Sequence, residues 1–336
     1  MKAALYYGPD DIRLEDVAVP EIGAGEVLIK IKACGLCGTD LHKILQKTVP
    51  AGTVLGHEIA GEIVKTGGGV KNFSEGDRVV VAHHVPCFVC SLCRKGHHSL
   101  CPEFKKLNID PGGFCEYVRI LPASVQNAMF KIPDGLSFEV ASLCEPLACC
   151  LRAVRKKIQA HDVVTVIGAG PIGIMHVQLA KALGAGKVFS ADVSQWRRES
   201  ALKFGADLVF DPRDEKGAAK IEKSDIVIIA AGNPAACLTG FQLVKPGGTI
   251  ILFAENPPGT TLPFDPNQFY HKELTILGAY SSSPVELKLA FEMLVSGKVQ
   301  LSNLVTHKFP LNRIPEAVNT MRLAQDSLKI VIIPDK

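Results

Sequence analysis

The sequence has no dominant charge, no long apolar run and no internal repeat, and each absence removes a class of function. Basic and acidic side chains number 37 and 34, for a formal net charge of +3 over 336 residues. So balanced a chain carries no electrostatic footprint for a phosphate backbone, and no nucleic-acid partner is expected. No uninterrupted apolar stretch approaches the length that spans a bilayer. Met1-Lys2-Ala3-Ala4 runs into Leu5-Tyr6-Tyr7-Gly8-Pro9 without the apolar core of an export signal. The expectation is a cytoplasmic chain with no membrane partner. Low-complexity segments and charge blocks are also missing. At this length two domains are expected rather than one core.

Cysteine, by contrast, is plentiful. Eleven cysteines in a reducing compartment imply thiols that serve metals or the core. Four of them, Cys87, Cys90, Cys93 and Cys101, fall within fifteen residues with gaps of two, two and seven, among the turn formers Pro86, Gly96 and Pro102. Four thiolates complete a tetrahedral shell around zinc and leave no open position, so the spacing predicts a closed structural site. A nucleic-acid-binding zinc ribbon has similar spacings but needs a basic surface that this chain lacks.

The pattern along the chain predicts an α/β protein of two parts. Residues 1–146 read as short strands and turns. Val27, Ile29, Ile31 and Ala33 alternate with Leu28, Lys30 and Lys32, and Glu62-Ile63-Val64 and Arg78-Val79-Val80-Val81 are further β runs separated by glycines. This half suggests a β-rich barrel or sandwich. Residues 147–283 change to apolar strands alternating with helical segments, with strands at 163–167, 187–191, 208–210, 226–230, 249–253 and 275–277. That alternation is the signature of a doubly wound parallel sheet. The tail, 284–336, returns to a mixture: an amphipathic helix near Leu287 to Leu294 and a closing strand at Leu328 to Ile333. It is expected to pack back onto the first part.

The strand Val163 to Ile167 leads into Gly168-Ala169-Gly170-Pro171-Ile172-Gly173 and then a helical run from Ile174 to Leu183. In that context Gly168 permits the tight turn, Gly170 lets backbone approach a pyrophosphate, and Gly173 allows close packing of helix on strand. Nineteen residues beyond Gly173 stands Asp192. Its carboxylate can accept hydrogen bonds from both ribose hydroxyls and would repel a 2′-phosphate, which favours NAD over NADP. NADP stays open through Arg197 and Arg198, since a guanidinium can clamp phosphate; the alternative is that one of them covers the adenine or is a solvated helix face.

Ahead of the cysteine lobe come Gly35-Leu36-Cys37-Gly38-Thr39-Asp40-Leu41-His42 and Gly56-His57-Glu58. Cysteine, histidine and glutamate all ligate zinc, and three firm donors would leave a fourth position for water or substrate. Together with the four-cysteine lobe, Gly112-Gly113-Phe114-Cys115-Glu116-Tyr117, Glu145-Pro146-Leu147 and Gly168 to Gly173, in this order, these motifs resemble the zinc-containing medium-chain dehydrogenase/reductase family. The likeness is to its sorbitol (polyol) and threonine dehydrogenase branch, and it covers essentially the whole chain.

That resemblance implies a β-rich GroES-like catalytic domain (1–146 and 284–336) and a Rossmann domain (147–283). It further implies two zinc ions per chain, with Cys37 and His57 as permanent ligands of the catalytic one. Glu58 and Glu145 are the variable ligands, either of which can yield to water, and Cys144 rivals Glu145. Glu145 is favoured because it matches the motif residue for residue and Pro146 suits the opening of a helix. Asp40 is expected to orient His57 by accepting its free ring N–H. Thr39 and His42 are placed to relay the proton from the substrate oxygen. Substrate hydride then passes to NAD, in a homodimer or homotetramer.

Two departures from the polyol pattern bear on the substrate. The segment between His42 and Gly56 is short and lacks the aromatic residue that relatives place over the substrate, and Phe104 to Gly113 is a brief connection. Phe114, Tyr117, Tyr280 and Ser281 are candidate lining residues. The remaining histidines, His83, His84, His97, His98, His161, His176, His271 and His307, match no ligand position and read as surface or packing residues. A polyol, cyclitol or sugar derivative is the first expectation for the substrate. A threonine-type amino alcohol is the second, because no charged pair for a zwitterion can be identified. A non-catalytic zinc- and NAD-binding relative is a remote alternative that the retained Cys37, His57 and Glu58 oppose.

Overall fold

The structure, a computed structural model, describes residues 1–106 and 108–334. It divides into two compact units, one formed by Met1–Ala148 with the stretch from Ser282 onward and the other by Cys149–Ser281.

The first unit is built on a seven-stranded sheet in the order Val305–Phe309, Lys329–Ile332, Val27–Gly35, Glu58–Thr66, Arg78–Val81 and Met129–Lys131, with Tyr117–Ile120 also paired to Val27–Gly35. A three-stranded sheet of Asp11–Asp16, Lys2–Gly8 and Thr53–Val54 accompanies it. Ile29, Ile31, Ile59, Ile63, Val118, Ile120, Ile330 and Ile332 fill the core, whereas Lys30 and Lys32 remain half-buried between them. This is the period of a sheet with one face against apolar neighbours. Register matters most at the end of strand Val27–Gly35. There Gly35 pairs with Glu58 on one side and Val331 on the other, so the strand carrying Glu58 and the strand carrying Lys329 flank the same residue.

The second unit is a six-stranded parallel sheet in the order Leu208–Phe210, Lys187–Ala191, Val163–Ile167, Ser224–Ile229, Val244–Leu252 and Thr275–Gly278. All five residues of the central strand Val163–Ile167 are buried, as expected where both faces of a parallel sheet are covered. Its one polar residue, Thr165, is satisfied by a 2.6 Å hydrogen bond to Ser224. The two units are thus a β-rich GroES-like unit and a Rossmann sheet, and the chain is of the α/β class.

The first half and tail also hold helices beyond the elements expected there, among them Gly38–Gln46 and Ile314–Leu323, and the helix that Pro146 suggested is Cys144–Val154. Helices Gly38–Gln46 and Cys144–Val154 carry candidate site residues.

Candidate active site

Cys37 is the N-cap of helix Gly38–Gln46. Its sulfur accepts from the Thr39 N–H at 3.4 Å, while the Asp40 carboxylate accepts from the Cys37 N–H at 3.1 Å. This is a capping box with cysteine in the place usually held by serine or threonine. It fixes the Cys37 sulfur at the N-terminus of the helix. Thr39 is exposed in the same first turn and His42 is half-buried further along the helix.

His57 and Glu58 arrive from the start of the neighbouring strand. One donor atom from each of Cys37, His57 and Glu58 lies within 4.8 Å of the other two. A zinc ion with bonds of about 2.0–2.3 Å needs donors roughly 3.3–3.8 Å apart, so a small contraction would close this group on a metal. Asp40 is fully buried beneath it, with Oδ1 3.4 Å from His57 Nδ1 and 3.2 Å from the Gly56 N–H. The Nδ1 edge of the ring thus faces Asp40, which leaves Nε2 for a metal. Burial alone would depress the His57 imidazole, but the charges of Asp40 and Cys37 outweigh it and raise it well above the usual histidine value.

Glu58 has a second buried partner that the sequence reading missed. The Lys329 ammonium lies 2.7 Å from Oε1 and 2.5 Å from Oε2, with both side chains out of solvent. Burial opposes the lysine's charge, yet Glu58, with Cys37 behind it, raises its pKa. The close approach depends on Gly35, where a Cβ would stand 1.9 Å from Glu58 Oε2 and 3.0 Å from Lys329 Cε. The available sequence signal was one lysine opening the otherwise apolar strand Lys329–Ile332.

Glu145 lies in the first turn of helix Cys144–Val154, nearly buried, and does not join the three-donor group; its Oε1 is 3.8 Å from His83 Nδ1. The neighbouring Cys144 thiol donates to the Leu287 carbonyl at 3.5 Å. Burial, with the Glu145 charge, pushes that thiol's pKa up. His83 and His84 also enter this region: the His57 and His83 ring centroids are 4.8 Å apart, and those of His83 and His84 4.0 Å. Of the candidate lining residues, Phe114 is core, Tyr117 half-buried and Tyr280 exposed. Ser281 adopts a left-handed backbone, φ 57°.

Cys87, Cys90, Cys93 and Cys101 bring their sulfurs within 4.8 Å of one another and form a structural-zinc cluster. The Cys87–Cys93 sulfur separation of 3.9 Å is close to the ~3.8 Å edge of a tetrahedron with Zn–S bonds of about 2.3 Å. The Cys87 N–H points at the Cys101 sulfur and the Cys93 N–H at the Cys90 sulfur, at 3.4 and 3.5 Å. Hydrogen bonds from the Val89 and Cys90 backbone pull the Cys87 thiol down to about 6.

In the second unit Gly168 follows strand Val163–Ile167, Gly170 caps helix Pro171–Ala182, and Pro171 and Ile172 open it. A Cβ on Gly173 would stand 1.8 Å from the Gly168 carbonyl oxygen, so only glycine lets the helix meet the turn this closely. The Asp192 carboxylate lies at the strand end, accepting from the Ala169 N–H and the Ser194 N–H, each at 2.8 Å. Arg198 is committed to the Asp192 carbonyl at 2.7 Å and to Asp211 at 3.2 Å. Arg197 instead lies over the glycine turn, with Nη1 3.7 Å from where a Gly170 Cβ would be. Its buried Nε has no hydrogen-bond partner.

Two metal-donor clusters in a GroES-like unit and a glycine-turn parallel sheet define a zinc-dependent, nicotinamide-linked oxidoreductase. Residues 23–134 match the alcohol dehydrogenase GroES-like domain, and residues 171–296 match the zinc-binding dehydrogenase family. Sorbitol dehydrogenase of Bacillus subtilis is 34% identical, over 100% of this chain and 98% of its own length. L-threonine 3-dehydrogenase of Pyrococcus horikoshii is 35% identical, over 96% of this chain and 94% of its own. Among solved structures, a zinc-binding dehydrogenase of Sinorhizobium meliloti bound to NADP superposes with a TM-score of 0.89 at 28% identity, over 99% of both chains. An Escherichia coli alcohol dehydrogenase complexed with NADH gives the same TM-score, identity and coverage. The chain belongs to the zinc-binding medium-chain alcohol dehydrogenase family. No helix among the described residues is long and apolar enough to cross a membrane.

Proposed function

We propose that this protein oxidises a secondary alcohol with NAD at the Cys37, His57 and Glu58 centre. The first choice of substrate is a polyol, cyclitol or sugar derivative. The observation that carries the proposal is the convergence of those three donors within 4.8 Å, outside the closed four-cysteine cluster. Zinc held there supplies a Lewis acid that lowers the pKa of the alcohol, and the nicotinamide supplies the hydride acceptor.

The chain's own residues do the rest. Cys37, fixed by its capping box, and His57, held through Nδ1 by Asp40, anchor the metal. Glu58 is shared with Lys329 and stays an adjustable ligand. Glu145, whose Oε1 lies 3.8 Å from His83 Nδ1, accepts a hydrogen bond from substrate or water. Thr39, exposed next to Cys37, and His42 beyond it carry the alcohol proton outward. On the second unit, the turn of Gly168, Gly170 and Gly173 and the N-terminus of helix Pro171–Ala182 receive the pyrophosphate. Asp192 accepts from the adenine ribose with the lone pairs left over from its two backbone bonds, and Arg197 covers the adenine side.

A threonine-type amino alcohol is the second reading, favoured by the likeness to L-threonine 3-dehydrogenase. An NAD-coupled absorbance screen of polyols, inositols, sugar acids and threonine separates the two. Turnover of polyols or cyclitols supports the first, and turnover confined to threonine replaces it with the second. Absence of turnover on every alcohol, with zinc fully loaded, would contradict both.

A further inference from the structure

His83 holds a position that packing alone does not explain. It follows strand Arg78–Val81, and its ring stacks obliquely between His57 at 4.8 Å and His84 at 4.0 Å. His84 in turn meets Phe104 at 5.1 Å, and Phe104, 1% exposed, packs on Cys93 and Cys101 of the zinc lobe. A continuous path of rings therefore joins the four-cysteine cluster to the three-donor centre. A phenylalanine would fill the same place and make the same stacks. The imidazole instead brings a buried Nδ1 that has no hydrogen-bond partner, with the nearest carboxylate oxygen, Glu145 Oε1, at 3.8 Å, beyond hydrogen-bonding range. A buried polar atom left unpaired is costly, and its retention calls for a partner that comes and goes.

We infer that His83 is a substrate-binding residue that hydrogen-bonds a second hydroxyl, on the carbon next to the one oxidised, and that the cysteine lobe holds its ring in place through His84 and Phe104. This rests on the proposed centre at Cys37, His57 and Glu58. A hydroxyl both donates and accepts, so it can pair with His83 Nδ1 whichever ring nitrogen carries the proton, on the side where Glu145 Oε1 lies 3.8 Å away. A mono-alcohol would leave His83 Nδ1 unpaired. Vicinal diols are thereby selected over simple secondary alcohols, since a site built for a hydroxyl discriminates against the analogue that lacks it.

The test compares butane-2,3-diol, 3-aminobutan-2-ol and butan-2-ol in zinc-loaded wild type and His83→Phe. Loss of one hydrogen-bond partner should lower kcat/KM for the diol by about ten- to a hundredfold, mainly through KM, and leave butan-2-ol within about threefold. The diol's calorimetric Kd for the NADH-loaded enzyme should rise by the same factor, with zinc content unchanged. His83→Gln, which keeps a donor and an acceptor, should recover part of the loss. His83→Leu repeats the truncation should phenylalanine disturb folding. Phe104→Leu, with the lobe zinc retained, should raise KM for the diol and spare butan-2-ol.

Equal losses on all three substrates, or no loss on the diol, would overturn the role of His83. So would a loss confined to the amino alcohol. Unchanged diol selectivity in Phe104→Leu would overturn the part given to the lobe. If wild type oxidises none of the three, and none of the polyols, inositols, sugar acids and threonine of the screen, the reading of the centre falls. Calorimetry then still decides on His83, and an unchanged diol Kd in His83→Phe rejects it.

Discussion

Lys329 and Glu58, 271 positions apart in sequence, form a buried ion pair, with the ammonium 2.5 Å from one carboxylate oxygen and 2.7 Å from the other. The glutamate of the three-donor group therefore has its charge compensated by a cation of the chain itself, and a metal must share it with the lysine. Removing the lysine should expose that sharing. In metal-free protein Lys329→Met leaves Glu58 buried without its cation, a loss of about 3–5 kcal/mol. With zinc bound, the metal takes up the freed carboxylate and the loss should be much smaller. Unfolding of wild type and variant, each with and without zinc, checks this, and the chelator concentration that strips zinc should rise in the variant. Equal destabilisation of both forms would contradict the sharing.

The four-cysteine cluster has no open coordination position, so its part is to hold the lobe together. Cys93→Ser should reduce zinc from two ions per chain to one and lower stability or disrupt assembly, as followed by metal analysis and circular dichroism. A variant with two ions and undiminished stability would show that Cys93 is not needed to hold the lobe's metal.

Asp192 sets the cofactor prediction. Its two backbone hydrogen bonds keep the carboxylate at the strand end, beside the glycine turn proposed to receive the cofactor. Charge-assisted hydrogen bonds contribute about 1.5–3 kcal/mol, so Asp192→Ala should weaken NAD use roughly ten- to a hundredfold. The same change should improve NADP use, because repulsion of the 2′-phosphate disappears and Arg197 lies close by. Steady-state rates with both cofactors decide it, and a wild type that prefers NADP would reverse the assignment.

His176 gives the second unit a dependence on pH. Burial holds its imidazole down at about 3, and neither ring nitrogen has a hydrogen-bond partner. Unfolded, the same histidine titrates near 6.5. Below that pH the unfolded chain binds a proton that the folded chain refuses, so the stability present above about 6.5 is lost as pH falls toward 3. The loss should reach about 2 kcal/mol at pH 5. Denaturant unfolding at pH 5 and pH 8 should show a smaller difference between the two pH values in His176→Leu than in wild type. Identical pH dependence in the two proteins would contradict the assignment.

What could be read from the sequence was what is encoded locally. The four cysteines span fifteen residues, and the glycine turn lies between its own strand and helix, so spacing and periodicity were sufficient for both. The parallel strands were legible because burial on both faces leaves nearly unbroken apolar runs. Helix Gly38–Gln46 was not, since its start signal is a capping box with cysteine as the cap, and a Cys-Gly-Thr-Asp string reads as a turn. Lys329 escaped because its partner comes from a distant strand, and only the register around Gly35 brings the two together. His83 and His84 were read as surface or packing residues. Packing is part of their environment, but the ring path from His57 to Phe104 exists only once the cysteine lobe has folded beside the sheet.

The central claim is that Cys37 belongs to a zinc centre distinct from the closed cluster and required for alcohol oxidation. Zinc content of Cys37→Ser, measured alongside its rate of NAD reduction, tests it most directly. The account predicts two ions per chain in wild type and one in the variant, with the circular dichroism spectrum retained and turnover abolished. Two ions and wild-type turnover in Cys37→Ser would contradict it.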